Sequence, residues 1–323
     1  MDVLFLAKAD YSNVGYLFAK ALQSVGMTSE AWAVRPSPRV YYQHAFLFRD
    51  LDKLESIIRE AKATTLMHSN WYDEAKQWGN LLYVFHGGSV YRQFHEKLNP
   101  TFNANVEKSI IQTGDLFNLG AKNEVWILPC TDIELLHGIA QRKDWHNSRY
   151  VIAHFPHKSY IKGTESIHNV LVKLRAEDLD LECGNPKTVK GSKWTFRIND
   201  QILPWHENLV RMAECDIYIE ACNPTLAGAP YGEWGLSAIE AASMSKIVVT
   251  HFLSYKRYLR EYGKCPLQVA NNEVELEAVL RKLLAMTRAE LNDLKREHYK
   301  WVKKFHSFKA VGTRLKEKVY DKI

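Results

Sequence analysis

The 323-residue chain lacks the features of a disulfide-rich, zinc-binding or membrane-spanning protein. Its five cysteines are an odd number and include no Cys-x-x-Cys pair, which argues against a disulfide framework and against a zinc site. No apolar run approaches the ~20 residues that a membrane-spanning helix needs. The run Val3–Ala7 is too short for the core of a signal peptide, so we read it as a buried strand. We expect a cytoplasmic protein.

Three glycine-dependent motifs are also missing. The chain contains neither a Gly-x-Gly-x-x-Gly fingerprint nor a P-loop, which argues against a dinucleotide dehydrogenase and a P-loop nucleotidase. The run His86-Gly-Gly resembles the oxyanion-hole segment of esterases. An esterase of that kind also needs a Gly-x-Ser-x-Gly elbow, and the sequence has none.

The positive charge is concentrated near the C-terminus. The net charge is +6, and residues 287–323 contain eleven Lys or Arg against five Asp or Glu, so the rest of the chain is close to neutral. Such a segment can contact an anionic membrane or a nucleic acid. Our first expectation is a solvated helix face. Peripheral membrane contact remains an alternative, and we expect no nucleic-acid partner.

Short apolar runs alternate with helical patterns along the whole chain, which predicts α/β architecture with parallel, doubly wound sheets. The predicted strands are Val3–Ala7, Ala31–Val34, Thr64–His68, Leu81–Phe85, Val125–Leu128, Tyr150–Ala153, Leu179–Cys183, Trp194–Arg197, Asp216–Glu220 and Ile247–Thr250. The predicted helices are Gly15–Val25, Leu51–Ala63, Asp132–Ile139, Glu165–Arg175, Leu209–Ala213, Leu236–Met244, Val274–Ala285, Thr287–Phe305 and Val311–Tyr320.

The length suits two domains. The polar stretch Gln141–Ser148 is the expected linker. We therefore expect a first Rossmann-like domain over residues 1–148 and a second over 149–305, with a cleft between the carboxyl ends of their sheets, where open α/β sheets bind ligands.

The segment Ala229–Thr250 is the strongest candidate for a ligand site. Gly232 and Gly235 allow a ligand to approach the backbone closely. Gly235-Leu236-Ser237 stands where a helix would begin, so its free N–H groups suit a phosphate. Glu240, one turn later, can accept hydrogen bonds from both hydroxyls of a ribose. The segment predicts a site for a ligand that carries phosphate and ribose; the alternative is turn glycines and a solvated glutamate.

Two lysines lie in the predicted connection between a strand and a helix, at Lys158 and Lys162. Cations placed there can neutralise a diphosphate leaving group. Lysines in a polar loop are more often simply solvated.

Two weaker patterns lie elsewhere in the sequence, one before Lys158 and Lys162 and one after them. Asp10–Gly15 joins the first strand to the first helix, which makes it a phosphate or sugar loop by position. Asp178-Leu-Asp180 matches the Asp-x-Asp pattern that some sugar transferases use for a divalent metal. We place it between a helix and a strand and interpret it as structural, so we expect no metal site.

In this order, the segments resemble the retaining glycosyltransferases of family 4, which have the GT-B fold. The resemblance covers nearly the whole chain. The matching segments are His86-Gly-Gly-Ser with Arg92 beyond it, Lys162-Gly-Thr164, Ala213–Ile219, Tyr231-Gly232, Ala238–Ala242 and a closing segment at residues 306–323. In that fold the closing segment returns to the first domain.

The resemblance implies a nucleotide-sugar donor bound by the second domain and an acceptor bound by the first. Glu240 would hold the ribose, Gly235–Ser237 the distal phosphate, and Lys158 and Lys162 the leaving diphosphate. The remaining implied contacts are Glu233 and His86 to the donor sugar and Asn13, Gly15 and Arg92 near the acceptor. No metal cofactor is implied, because lysines neutralise the leaving group.

The chain departs from the family's pattern at two points. Two glutamates commonly stand eight positions apart in the family, whereas Glu233 and Glu240 are seven apart and Gly232 occupies the expected place. The usual Gly-Arg before the lysine is replaced near His154. Three hypotheses follow: a retaining transferase, with UDP favoured over GDP, acting on a glycan, lipid-linked or small-molecule acceptor; a transferase acting on nucleic acid or protein; and an inactive nucleotide-binding relative.

Overall fold

The structure is a computed structural model that describes residues 1–37, 44–47, 51–141, 149–183 and 194–323. Its strands are β1 Val3–Ala7, β2 Ser29–Ala33, β3 Phe46–Leu47, β4 Ala63–Met67, β5 Leu81–His86, β6 Ser109–Ile111, β7 Glu124–Trp126, β8 Tyr150–His154, β9 Trp194–Ile198, β10 Ile217–Ala221, β11 Thr225–Leu226, β12 Ala229–Pro230, β13 Ile247–Thr250 and β14 Gln268–Val269.

Its helices are α1 Val14–Gln23, α2 Leu51–Glu60, α3 Tyr72–Ala75, α4 Gly88–Asn105, α5 Ile133–Gln141, α6 Ser159–Lys162, α7 Thr164–Cys183, α8 Trp205–Ala213, α9 Leu236–Ser243, α10 Tyr255–Tyr262, α11 Glu273–Ala285, α12 Arg288–Phe305 and α13 Phe308–Arg314. A π-helical turn continues α13 over Leu315–Val319. Short 3-10 turns lie at Tyr11–Asn13, Lys76–Trp78 and Gly114–Leu116.

The chain divides into two compact units. The first combines Met1–Asp132 with Lys304–Ile323, and the second is Ile133–Lys303. The second unit thus begins before the boundary expected at residues 148 and 149, because α5 packs against α8 and α9. Most of the expected linker, residues 142–148, lies outside the described residues.

The first unit is built on a parallel sheet with β1 in its interior. Its described strands run in the order β3-β2-β1-β4-β5-β6-β7. Alternate residues of β1 pack on opposite faces: Val3 and Phe5 in one apolar core, Leu4 and Leu6 in another. Burial on both faces explains why the strand reads as a continuous apolar run.

The C-terminal segment completes the first of these cores. Val311, Leu315, Val319 and Tyr320 are buried there beside the residues of α1. The two helices approach closely at Gly312, where a Cβ would collide with the carbonyl oxygen of Ala21. A small residue at this position is therefore a condition of the packing.

The second unit contains a parallel sheet in the order β14-β13-β10-β8-β9. Apolar residues of β8, β10 and β13 pack against α7 and α11 on one face. Between β10 and α9, the strands β11 and β12 form an antiparallel hairpin. Its two turn residues, Ala227 and Gly228, both have positive φ, as a tight two-residue hairpin turn requires.

Most of the predicted elements are confirmed, with one clear error. The sequence predicts a strand at Leu179–Cys183, but α7 continues through this stretch to Cys183. Residues 175–183 contain no Gly or Pro and include one Arg, one Ala, two Glu and two Leu, which favour helices, so nothing stops a helix once its buried face has formed. Asp178 and Asp180 consequently lie within α7 and not between a helix and a strand.

Two longer helices, α4 and α10, are absent from the prediction, as are the four-residue helices α3 and α6. α4 begins at a pair of glycines and contains Pro100, which obscures its periodicity. α10 is short and strongly charged. Among the described residues, no helix is both long and apolar enough to cross a bilayer.

Candidate active site

The candidate site in the second unit lies where β8, β10 and β13 end. β8 is the first strand of this sheet in the chain, and its neighbours β9 and β10 lie on opposite sides of it. Ligands bind at such a switch point, outside the carboxyl ends of the strands. The side chains at these ends are polar and buried: His154, Glu220 and Thr250.

The first turn of α9 faces this edge. Gly235 is the N-cap residue, in an extended conformation, and Leu236 and Ser237 are the first helical residues. All three are half-buried. Helix geometry leaves the first amides without an intrahelical acceptor. The helix dipole adds partial positive charge there, so this turn can bind an anion.

Glu220 lies beside that turn and forms an ion pair with Lys162. Its carboxylate also accepts hydrogen bonds from Thr250 Oγ1 at 3.0 Å and from Ser237 Oγ at 3.3 Å. Burial alone would raise the pKa of Glu220, but the Lys162 ammonium, His251 and the Thr250 hydrogen bond hold it below the ordinary value. The carboxylate is therefore ionised at neutral pH.

Each residue of the run Lys162-Gly163-Thr164 makes a contact that depends on its residue type. Lys162 pairs with Glu220, and its carbonyl accepts a hydrogen bond from the Cys222 amide at 3.0 Å. Gly163 has φ +70° and is packed against the Cys222 backbone. Thr164 Oγ1 contacts His154 Nε2 at 2.9 Å. The run thus fixes the connection between α6 and α7 to the ends of β8 and β10.

Glu240 is only 4% exposed and lies in the second turn of α9. Oε1 accepts a hydrogen bond from Trp205 Nε1 at 2.7 Å. Burial raises the pKa of this carboxyl to about 7, and the Trp205 hydrogen bond lowers it in part. Oε2 has no partner among the described residues, so it remains available to a hydroxyl.

Glu233 points toward α10. It is 6% exposed, and its carboxylate accepts the amide of Ser254, the N-cap residue of α10, at 2.5 Å. An acceptor at this position stabilises the start of a helix. Gly232, just before it, has φ +66°, with open space where a Cβ would stand.

Lys158 does not take part in this cluster. It is exposed and occupies the N-cap position of α6. Of the two lysines in this connection, the structure brings Lys162 to the α9 edge.

A cavity of about 530 Å³ opens at the carboxyl ends of β8 and β9. The Arg211 guanidinium lies over the Phe155 ring, 4.4 Å from its centroid. Asn199 supplies an amide to the wall. Partial burial lowers the pKa of Arg211. The cavity combines flat aromatic and guanidinium surfaces with a polar amide, which suits a planar heterocycle.

In the first unit, two of the proposed acceptor-side residues already have partners. The Gly15 amide donates to Asp10 Oδ1 at 2.8 Å. Arg92 is ion-paired with Asp115, whose side chain is fully buried. Asn13 has φ +55° and is buried, and its Oδ1 has no partner among the described residues.

His86 is completely buried at the end of β5. Its Nδ1 contacts Ser69 Oγ at 2.8 Å, and its ring stacks on Tyr91 at 3.8 Å. Burial lowers its pKa to about 3, so the imidazole is neutral. These contacts hold the ring beneath the surface, and its Nε2 has no hydrogen-bond partner among the described residues.

The sequence did not point to Glu220, Trp205 or Arg211. A signal existed for Glu220: it is the one charged residue in the predicted run Asp216–Glu220 after its first position, at the carboxyl end of a buried strand. Trp205 and Arg211 become relevant only because α8 faces Glu240 and Phe155.

No family model and no curated protein sequence matches this chain. Solved structures do. The chain is similar to the sucrose-phosphate synthase of Thermosynechococcus elongatus, with TM-score 0.61 and 12% identity over 100% of this chain and 99% of that one. An alpha-glucosyltransferase in complex with UDP-glucose and DNA matches with TM-score 0.64 and 12% identity, over 94% of this chain and 95% of that one. HepE of Anabaena, in complex with UDP, matches with TM-score 0.62 and 13% identity, over 99% of this chain and 100% of that one. The chain has the GT-B fold that these glycosyltransferases share.

Proposed function

We propose that this chain is a retaining glycosyltransferase that moves a sugar from a nucleotide-sugar donor, UDP-linked rather than GDP-linked, to an acceptor hydroxyl. One observation carries the proposal: the carboxyl edge of the second unit's sheet brings together the open first turn of α9, the Lys162 ammonium and the Glu240 carboxylate. A nucleoside diphosphate needs three things from its site: donors for a phosphate, a positive charge beside the diphosphate, and an acceptor for the ribose hydroxyls. These three groups can supply them.

The donor fits this edge in one orientation. The distal phosphate would accept hydrogen bonds from the amides of Gly235–Ser237, and the ribose hydroxyls would donate hydrogen bonds to Glu240. The base would enter the cavity beside Phe155 and Arg211, where it can stack. The cognate structures with UDP or UDP-glucose support this donor class.

In the transfer step, the acceptor oxygen bonds to the anomeric carbon while the bond from that carbon to the diphosphate oxygen breaks. The acceptor proton passes to the departing phosphate, and attack from the same face retains the configuration. Lys162 stabilises the charge that grows on the leaving group. We propose that Lys158 assists at the diphosphate and Glu233 at the sugar. Neutralisation by lysine takes the place of a metal ion. Asn13 and Arg92 border the acceptor. His86 is too deeply buried to support a direct sugar contact; we assign it to holding Ser69.

The acceptor we favour is a glycan, a lipid-linked sugar or a small molecule. The basic segment from residue 287 is a candidate for peripheral membrane contact. A second function, nucleotide binding without turnover, is favoured by one feature: the charge of Lys162 is already balanced by Glu220.

Two measurements test the proposal. UDP should raise the melting temperature more than GDP, since ligands that bind only the native state stabilise it. UDP release from UDP-sugars, with and without candidate acceptors, then separates a transferase from a nucleotide-binding relative. Glu240→Ala should weaken UDP binding; a variant that binds UDP as well as the wild type refutes the site. No response to any nucleoside diphosphate refutes the function.

A further inference from the structure

Glu220 is a buried carboxylate whose ion-pair partner, Lys162, is partly exposed to solvent. Its side chain is 0% exposed, whereas the Lys162 side chain is 25% exposed. An ammonium has three N–H donors. Only one side-chain contact of Lys162 occurs among the described residues, the one to Glu220. The remaining donors can therefore reach a ligand while the ion pair stays intact.

The carboxylate lies directly behind the start of α9. A Cβ on Gly235 would stand 3.5 Å from Glu220 Oε1, and Ser237 Oγ donates to the same oxygen. Three groups thus direct this carboxylate: Ser237 on α9, Thr250 on β13 and Lys162 on α6. Because Ser237 on α9 and Thr250 on β13 hold the carboxylate at the end of β10, the ammonium that it pairs with is fixed too.

An anionic side chain beside an anion site needs an explanation. A carboxylate a few ångströms from a bound phosphate opposes its binding, and a buried ion pair is often no more stable than an apolar replacement. Neither affinity nor stability therefore accounts for Glu220. Orientation of Lys162 does, since a misplacement of about 1 Å can reduce a rate on the order of 100-fold.

We infer that Glu220 is a positioning residue that holds the Lys162 ammonium at the first turn of α9, where it meets the leaving diphosphate of the donor. The inference rests on the proposed function. It has two opposite consequences. Without its negative charge, the site should bind a diphosphate more tightly in the ground state. With Lys162 no longer held, turnover should slow.

The test compares the wild type with Glu220→Gln, which keeps the side-chain shape and a carbonyl oxygen for Thr250. Calorimetry with UDP and with inorganic pyrophosphate measures the ground state, and UDP release from the donor measures kcat. We expect dissociation constants roughly threefold to tenfold lower and a kcat at least about tenfold lower. Glu277→Gln, which weakens the ion pairs of Glu277 with Lys173 and Arg281 in the same unit, should change neither.

Two further variants separate charge, position and folding. Glu220→Asp keeps the charge but shortens the side chain, so kcat should fall without tighter pyrophosphate binding. Lys162→Met combined with Glu220→Gln leaves no unpaired buried charge, and its pyrophosphate binding should fall below that of the wild type.

The outcomes distinguish the inference from the function. A wild-type kcat in Glu220→Gln, or weaker pyrophosphate binding with a lower melting temperature, overturns the positioning role while the transferase stands. Tight pyrophosphate binding by the double variant shows that Lys162 is not the group involved. If no nucleotide sugar is turned over, the proposed function fails, and the pyrophosphate titrations still decide the inference: wild-type protein that does not bind pyrophosphate overturns it.

Discussion

Gly163 and Cys222 approach so closely that a Cβ on Gly163 would stand 2.5 Å from the Cys222 carbonyl oxygen. Gly163 also has φ +70°, a backbone conformation that residues with a side chain rarely adopt. The contact ties the residue after Lys162 to the end of β10, the strand that carries Glu220. Glycine here is therefore part of the geometry of the site.

Gly163→Ala should destabilise the fold and weaken UDP binding. The positive φ costs a residue with a side chain roughly 1–2 kcal/mol, and the clash adds to it. We expect a melting temperature lower by several degrees and a several-fold loss of UDP affinity, measured by thermal unfolding and calorimetry. Gly228→Ala is the control, because φ is +81° there but nothing lies within 4 Å of a Cβ. Equal effects of the two variants would contradict the close-contact argument.

Glu240→Gln should change how stability depends on pH. Burial raises the pKa of Glu240 from its usual 4.5 to about 7. Between these values the folded state binds more protons than the unfolded state, so this group's favourable contribution is complete below pH 4.5 and is lost as the pH rises through 7. The variant lacks this loss. Its free energy of unfolding relative to the wild type should rise from pH 4.5 to 7, by on the order of 3 kcal/mol, and level off above.

Urea unfolding at pH 5, 6, 7 and 8 measures that difference. Glu207→Gln, the same exchange at an exposed position, is the matched control. A flat difference for Glu240→Gln would show that the carboxyl is not penalised by burial.

Asp10→Ala should destabilise the first unit. The buried Asp10 carboxylate accepts the amides of Gly15 and Tyr16 at 2.8 and 2.9 Å. Loss of an acceptor at a helix start costs about 0.5–2 kcal/mol, and the amides buried with it add to that cost. Denaturant unfolding should show a loss of about 2 kcal/mol. Asp10→Asn, which retains one acceptor oxygen, should lose less; an equal loss would argue against the two hydrogen bonds.

Arg92→Ala should cost more stability than the removal of an exposed arginine. Arg92 pairs with Asp115, whose side chain is fully buried, so the variant leaves a buried carboxylate without its cation. Breaking such a pair costs roughly 3–5 kcal/mol. Arg59→Ala, which breaks the exposed pair with Glu55, should cost less than about 1 kcal/mol. Similar losses would show that the Asp115 carboxylate is not dependent on Arg92.

The sequence predicts the fold better than it predicts the site. Strands such as Val3–Ala7 and Ile247–Thr250 are buried on both faces, so their apolar runs are visible without any tertiary information. The pairing of Lys162 with Glu220 joins residues 58 positions apart, and no local pattern reports such a distance. The same holds for Trp205 and Glu240, which are 35 apart. The place of Glu240 in a predicted helix makes it a candidate ligand contact, but the burial that raises its pKa depends on the packing of other elements.

The error at Leu179–Cys183 has a physical cause. This stretch alternates apolar and polar residues, which is typical of a half-buried strand, and only the preceding buried face of α7 shows that the helix continues. The burial of His86 is likewise set by side-chain packing, against Tyr91 and Ser69, which the pattern His86-Gly-Gly does not report.

The return of the C-terminal segment to the first unit has a consequence for the order of synthesis. Tyr320 Oη and Thr65 Oγ1 are 2.6 Å apart, and Tyr320 shares a core with Phe5 and Tyr83. A ribosome makes this segment only after the whole second unit. The first unit therefore emerges early, but part of its core stays uncovered until residues 304–323 have been translated. Ribosome-bound chains that end before Lys304 should accordingly be more sensitive to protease in the first unit than chains that include Lys304–Ile323.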